Sequence, residues 1–281
     1  MIMYSVDTII MAGTNPLRPV KGKDCKALVE YKGRPIIDHV VQAHTWAHGV
    51  RHIYVVGPKD DLESALSWYT ERGRVTVVQE TDIKAGRFNE GKRLIDSAKR
   101  GLEKKFKDND DPYVLFSACD IPKILFADLD LFLYRCHALV QKSDPKPDYI
   151  QSVVRLEDEL LMFDGLTEQE RPAPRFKEGA FRFGNIAYAN ATRCLEKTHL
   201  IDLAYSVRKG RDHPIKTATT MFGWWNTIRL SGVGASLFGR TSIEDVKARI
   251  AKKHDLFLDM IEVHPSVAAD TDNDEDFDSL K

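Results

Sequence analysis

Three short segments of the chain combine residue types that handle phosphate or a hard cation. Ala12-Gly13-Thr14-Asn15-Pro16-Leu17-Arg18 is a small-residue loop followed by Lys21, Lys23 and Lys26. Small residues let backbone N–H groups approach a base or a phosphate closely, and the flanking cations can neutralise a triphosphate. An ordinary strand-to-helix turn with solvated lysines would have the same composition. Cys119-Asp120-Ile121-Pro122 ends an apolar run on a carboxylate, the hard oxygen donor that Mg²⁺ takes singly or in pairs beside substrate phosphates; a helix N-cap ahead of Pro122 is the other use for Asp120. Ala269-Asp270-Thr271-Asp272-Asn273-Asp274-Glu275-Asp276-Phe277 crowds acids together. Mutual repulsion leaves such acids solvated in a frayed tail, bound to metal, or at a helix N-terminus. The D-x-D-x-D spacing is not an EF-hand, because Glu275 stands where that loop needs Gly and Lys281 where it needs Glu.

Other chemistries find less support. There is no G-x-x-x-x-G-K-[ST] loop, Gly232-Val233-Gly234 lacks the third glycine of a dinucleotide fingerprint, and neither H-E-x-x-H nor G-x-S-x-G occurs. The internal triplet Asp128-Leu129-Asp130 falls on helical apolar spacing, a poor setting for a metal site.

The elements that must position these segments follow from periodicity. Residues 6 to 12 (VDTIIMA), 51 to 57 (RHIYVVG) and 74 to 79 (RVTVVQ) are compact β-branched runs that predict strands, and 112 to 120 (PYVLFSACD) suits a central strand buried on both faces. Between them, 35 to 48, 60 to 72 and 89 to 106 carry helical spacing. Strands alternating with helices imply a parallel sheet, whose ligands collect at the carboxyl ends of the strands. Farther on, 128 to 140 predicts a helix, 149 to 155 a strand, 164 to 180 a surface excursion, and 198 to 260 mainly helix, including 243 to 254 capped by Thr241 or Ser242.

At 281 residues, with 43% hydrophobic and 30% charged residues, the composition is that of one ordinary globular core with insertions. A formal charge of −1 argues against a protein that coats nucleic acid. No run reaches the ~18 to 20 apolar residues of a membrane span. The apolar start carries Asp7 and lacks a basic region, so it reads as a buried first strand and not as a signal peptide. Four cysteines without a C-x-x-C pair point to reduced thiols in a cytoplasm, where the sequon Asn190-Ala191-Thr192 carries no sugar. A homo-oligomer is compatible with Trp224-Trp225, which suits an interface or the core.

The first loop, the stretch from Lys26 to Val40 (KALVEYKGRPIIDHV), the strand ending at Asp120 and Asp270-Thr271-Asp272 together resemble the MobA-like nucleotidyltransferase family in order and spacing. The resemblance is strongest over residues 6 to 125 and again over 265 to 278. It implies a GT-A-like, Rossmann-related three-layer α/β/α fold with a mostly parallel central sheet. One NTP-transferase domain would span 1 to 281, with a nucleotide-binding half to about residue 125 and an acceptor-side half from about 126. It further implies that Ala12, Gly13 and Thr14 hold the nucleotide, that Lys26 meets its phosphates, and that Asp120 and Asp270 bind Mg²⁺. Gln79, Gly86 and Arg87 would help to select the base, and Gly184, Asn185, Arg208 and Lys209 would serve the acceptor. The loop departs from the family pattern at Asn15-Pro16-Leu17-Arg18, and Arg18 is assigned only to stabilising charge that develops on the phosphates. The reaction so implied moves a nucleoside monophosphate from an NTP donor to a small phosphorylated acceptor, releasing pyrophosphate. A glycosyltransferase using an NDP-sugar and a catalytically silent nucleotide-binding module are the alternatives.

Overall fold

The computed structural model describes residues 5–81, 90–162, 173, 175–197, 242–271 and 274–279. Its elements in chain order are β1 (Val6–Met11), β2 (Glu30–Tyr31), β3 (Arg34–Pro35), α1 (Ile36–Trp46), β4 (Val50–Gly57), α2 (Lys59–Ala65), α3 (Ser67–Thr70), β5 (Val75–Gln79), α4 (Glu90–Asp108), β6 (Tyr113–Ala118), α5 (Phe126–Lys142) and β7 (Tyr149–Arg155). After these come α6 (Leu156–Met162), β8 (Arg175–Phe176), β9 (Gly179–Asn190), α7 (Ala191–Glu196), α8 (Ile243–His254), β10 (Leu258–Glu262), a 3₁₀ turn at Pro265–Ala268 and α9 (Asp274–Ser279).

The main sheet runs β10-β7-β9-β6-β1-β4-β5, with β8 attached to β9. β1 pairs in parallel with both β4 and β6, β4 with β5, and β10 with β7, while β9 lies antiparallel between β6 and β7. The expected mostly parallel α/β sheet is therefore present. Alternation along a strand sends Ile10, Val55 and Leu115 into the cluster that contains α1 and α5, and sends Ile9, Tyr54, Val56 and Val114 against Leu102 of α4. Burial on both faces is why these strands read as near-continuous apolar runs.

Several expectations change in detail. The helix expected over 60 to 72 is two short helices meeting at Leu66. Part of the surface excursion expected over 164 to 180 is β-structure: β8 and the first turns of the long strand β9 occupy 175–176 and 179 onward. Within the helical stretch expected over 198 to 260, α8 forms and Ser242 caps it in a capping box with Asp245, while residues 258–262 are strand. The sequon residue Asn190 caps α7, its side chain accepting from the Arg193 N–H. Gly86, Arg87, Arg208, Lys209, Trp224, Trp225 and Asp272 lie outside the described residues. Among the described residues, no helix is long and apolar enough to cross a membrane.

Candidate functional site

Parallel pairing places the ends of β1, β4, β5 and β6 at one edge of the sheet, and the loops that follow them gather there. Because β9 runs antiparallel, it brings its beginning to the same edge, with Arg182 opposite Val154. β10 points the same way as β7, so the chain leaving Glu262 passes through the 3₁₀ turn to Asp270 at this edge as well. At the opposite edge Arg51 grips Asp7 through two bonds of 2.8 and 3.0 Å, which leaves a structural ion pair there.

The first loop leaves β1 at Ala12, whose N–H donates to the Val56 carbonyl at 2.8 Å and whose carbonyl accepts from the Cys25 thiol at 3.3 Å. A Cβ on Gly57 would fall 2.3 Å from that carbonyl oxygen, so a glycine is required where β4 passes the loop. Asn15 N–H closes the loop onto the Asp24 carbonyl at 2.7 Å. Inside it stands a carboxylate that the sequence reading passed over: Glu80 accepts from the Thr14 N–H at 3.0 Å and from the Thr14 hydroxyl at 2.8 Å. A Cβ on Gly13 would lie 3.0 Å from a Glu80 oxygen, so Gly13 and Glu80 fit one another. Gln79, the residue assigned to base selection, turns the other way and accepts from the N–H of Lys59 at the start of α2. Arg18 stands exposed on the outer turn of the loop.

Lys26, on the one-turn helix that follows the loop, reaches Asp120 with Nζ 2.9 Å from Oδ2. Asp120 is buried and does not cap a helix; α5 begins only at Phe126, after Leu125. Its carbonyl accepts from the Thr271 N–H at 3.1 Å, which ties the end of β6 to the segment carrying the buried carboxylate of Asp270. Asp270 in turn has the Arg182 guanidinium 3.9 Å away, and Arg182 is anchored by the fully buried Glu159 of α6 at 2.5 Å. Asp120 and Asp270 are two buried hard-oxygen donors of the kind that can hold a divalent cation; among the described residues no three His, Cys, Asp or Glu gather into a metal cluster. Asp128 and Asp130 are engaged elsewhere, accepting from the Ser266 hydroxyl and the Gly49 N–H.

Burial pushes the Cys25 thiol up to about 11, with Glu80 adding to the effect, and pushes Cys119 well above its usual range, with Asp120 adding to it. Both stay protonated near neutral pH and are not nucleophiles.

Gly184 lies on β9 where a Cβ would meet the Ser152 hydroxyl at 2.4 Å and Val267 at 3.2 Å. Close packing of β9 on β7 and the 3₁₀ turn thus accounts for that glycine, and Asn185 beside it is partly exposed. The structure brings Ala12, Gly13, Thr14, Lys26, Asp120 and Asp270 to one edge and adds Glu80, Arg182 and Glu159. Glu80 has a signal in the sequence, a carboxylate next after a strand end; Arg182 and Glu159 are ordinary members of charged stretches.

Residues 8–144 match the family of MobA-like NTP transferase domains. Similar solved structures include a hypothetical transferase from Thermus thermophilus, with TM-score 0.67 and 22% identity over 97% of this chain and 99% of that one. A nucleotidyl transferase from Methanothermobacter thermautotrophicus aligns with TM-score 0.50 and 15% identity over 98% of this chain and 95% of that one. A 4-diphosphocytidyl-2C-methyl-D-erythritol synthase from Anaerococcus prevotii aligns with TM-score 0.50 and 13% identity over 98% and 93%. No curated protein matches the chain. At these identities the structural likeness speaks to the fold, which all three share with this chain.

Proposed function

We propose, from the match of residues 8–144 to the MobA-like NTP transferase domain family, that the protein is a Mg²⁺-dependent nucleotidyltransferase acting on an NTP and a small phosphorylated acceptor. What supports this most is the joining of Lys26, Asp120 and the Asp270-Thr271 segment beside the Gly13-Thr14 loop. An acceptor phosphate oxygen attacks the α-phosphorus in line, the bond to the bridging oxygen breaks, and pyrophosphate departs. The nucleophile is already anionic, so no general base is needed.

The protein's work is positioning and charge neutralisation. Gly13 and Thr14 give the donor a close approach to the chain, with Glu80 holding their conformation. Lys26 exchanges Asp120 for the phosphates of the bound donor and stabilises charge that develops on them. Asp120 and Asp270 would hold Mg²⁺, which supplies further neutralisation at the phosphate oxygens when bound. Arg182, held by Glu159 and 3.9 Å from Asp270, sets a cation beside the carboxylate proposed for the metal. An NDP-sugar transferase is less well supported, since the internal Asp128-Leu129-Asp130 lies on α5 with both carboxylates bonded to the fold.

The decisive experiment is thermal stabilisation by ATP, GTP, CTP and UTP in turn, each with and without Mg²⁺. A ligand at 100 times its Kd stabilises the native state by about 2.7 kcal/mol. Metal-dependent stabilisation by one NTP is the expected result and identifies the donor. Stabilisation by none of the four, with stabilisation by an NDP-sugar, would overturn the proposal.

A further inference from the structure

The acidic residues 274–279 do not form a frayed tail. Residues 274–279 fold as α9 and dock on the outer turn of the first loop. The Lys21 N–H donates to Asp274 Oδ1 at 2.7 Å, and Lys21 Nζ bonds Asp278 Oδ2 at 3.1 Å. The same ammonium lies 5.5 Å from the ring centroid of Phe277, and Phe277 meets Tyr31 edge-on at 6.2 Å. Phe277 also packs against the main core cluster.

The turn it holds is a two-residue hairpin in which Val20 and Lys23 exchange backbone bonds of 3.1 and 2.9 Å. Lys21 has φ 48° and Gly22 φ 73°, two successive left-handed residues, of which only the glycine adopts that region readily. Val20 and Lys23 bridge across the turn, so its shape is passed to the arms of the loop, one of which runs back to Gly13 and the other forward to Lys26. A lysine at the first left-handed position of such a turn is less favoured than glycine or asparagine, so the turn keeps one shape best where its surroundings hold it. α9 provides that surrounding through a backbone bond, an ion pair and an aromatic contact on one residue.

We propose that Asp274, Phe277 and Asp278 are positioning residues for the nucleotide loop, forming a strap that holds residues 13–24 in the donor-binding shape. The segment that carries Asp270 also carries the strap, so the late carboxylate and the first loop are set by one stretch of chain. The role in donor binding rests on the nucleotidyltransferase reading above; the contact itself does not.

The test compares wild type with Phe277→Ala, Asp274→Ala and the conservative Phe277→Tyr in the full chain. Hydrogen–deuterium exchange of residues 13–24 is measured without nucleotide, and KM and kcat are measured for the NTP. Loss of the edge-on and cation–π contacts of Phe277 is expected to speed exchange in 13–24 and raise the donor KM, each by about fivefold, with kcat within about twofold. Phe277→Tyr should restore both, and exchange in the core strand β6 should not change in any variant. Unchanged exchange in 13–24 would overturn the strap, and faster exchange with an unchanged KM would overturn its role in donor binding. If wild type binds no NTP, the function assigned above fails, while the exchange result still decides whether the strap exists.

Discussion

Lys26 Nζ lies 2.9 Å from Asp120 Oδ2, so in the free protein the cation assigned to the donor phosphates is paired with the carboxylate assigned to the metal. Each holds the other's charge in a partly buried place, and the proposed function has the pair part when donor and metal bind. Asp120→Ala should lower turnover by about 10² to 10³-fold, the usual effect of removing one electrostatic group from such a site, and should abolish Mg²⁺-dependent donor binding. Lys26→Met should lower turnover comparably. In melts of the apo protein the two substitutions should couple by about 1 to 2 kcal/mol, less than a fully buried pair because water reaches both groups. Steady-state assays and a double-mutant cycle check this, and wild-type turnover in Asp120→Ala would end the mechanism.

Glu80 receives both the backbone N–H and the hydroxyl of Thr14. Glu80→Ala removes both anchors and should raise the donor KM by about tenfold, equivalent to about 1.4 kcal/mol. Glu80→Gln keeps one carbonyl acceptor and should fall between that variant and wild type. An unchanged donor KM in both variants would show that the carboxylate is only packing.

The long strands were legible because burial on both faces writes continuous apolar runs into β1, β4 and β6. β9 was not, because GAFRFGNIAYAN opens on glycine and includes Arg182 and Asn185, and its antiparallel seat between β6 and β7 is set by tertiary pairing. Of the candidate residues, Gly13 and Asp120 stand out by residue type at strand ends, while the parts given to Lys26 and Asp270 come from the family resemblance. Glu80 bonds Thr14 inside the loop while Gln79 bonds the Lys59 N–H, because neighbours at a strand end face opposite ways. Glu159 meets Arg182, and Arg182 meets Asp270, only through the fold, so no local spacing announces them.

His44 is fully buried in α1, and burial lowers its pKa to about 4. Its Nδ1 lies 2.8 Å from the Val40 carbonyl, which assigns the proton to Nδ1 and leaves Nε2 buried with no hydrogen-bond partner among the described residues. The folded state thus resists protonation that the unfolded chain accepts near pH 6.5. The stability tied to neutral His44 is present above that pH and is lost as pH falls towards about 4. The loss amounts to about 3 kcal/mol between pH 7 and 4. His44→Leu should flatten that part of the profile relative to wild type in denaturant melts at several pH values; parallel profiles would refute the assignment.

The bond from the Thr271 N–H to the Asp120 carbonyl spans 151 positions of sequence. During synthesis the chain emerges from its amino end, so the first loop, Lys26 and Asp120 are exposed long before Asp270 exists. A nascent chain can build β1, β4, β5 and β6 while still tethered, but it cannot complete the carboxylate pair. Competence in the proposed reaction therefore waits for Asp270, and a chain truncated before that residue would keep the first loop and only half of the proposed metal site.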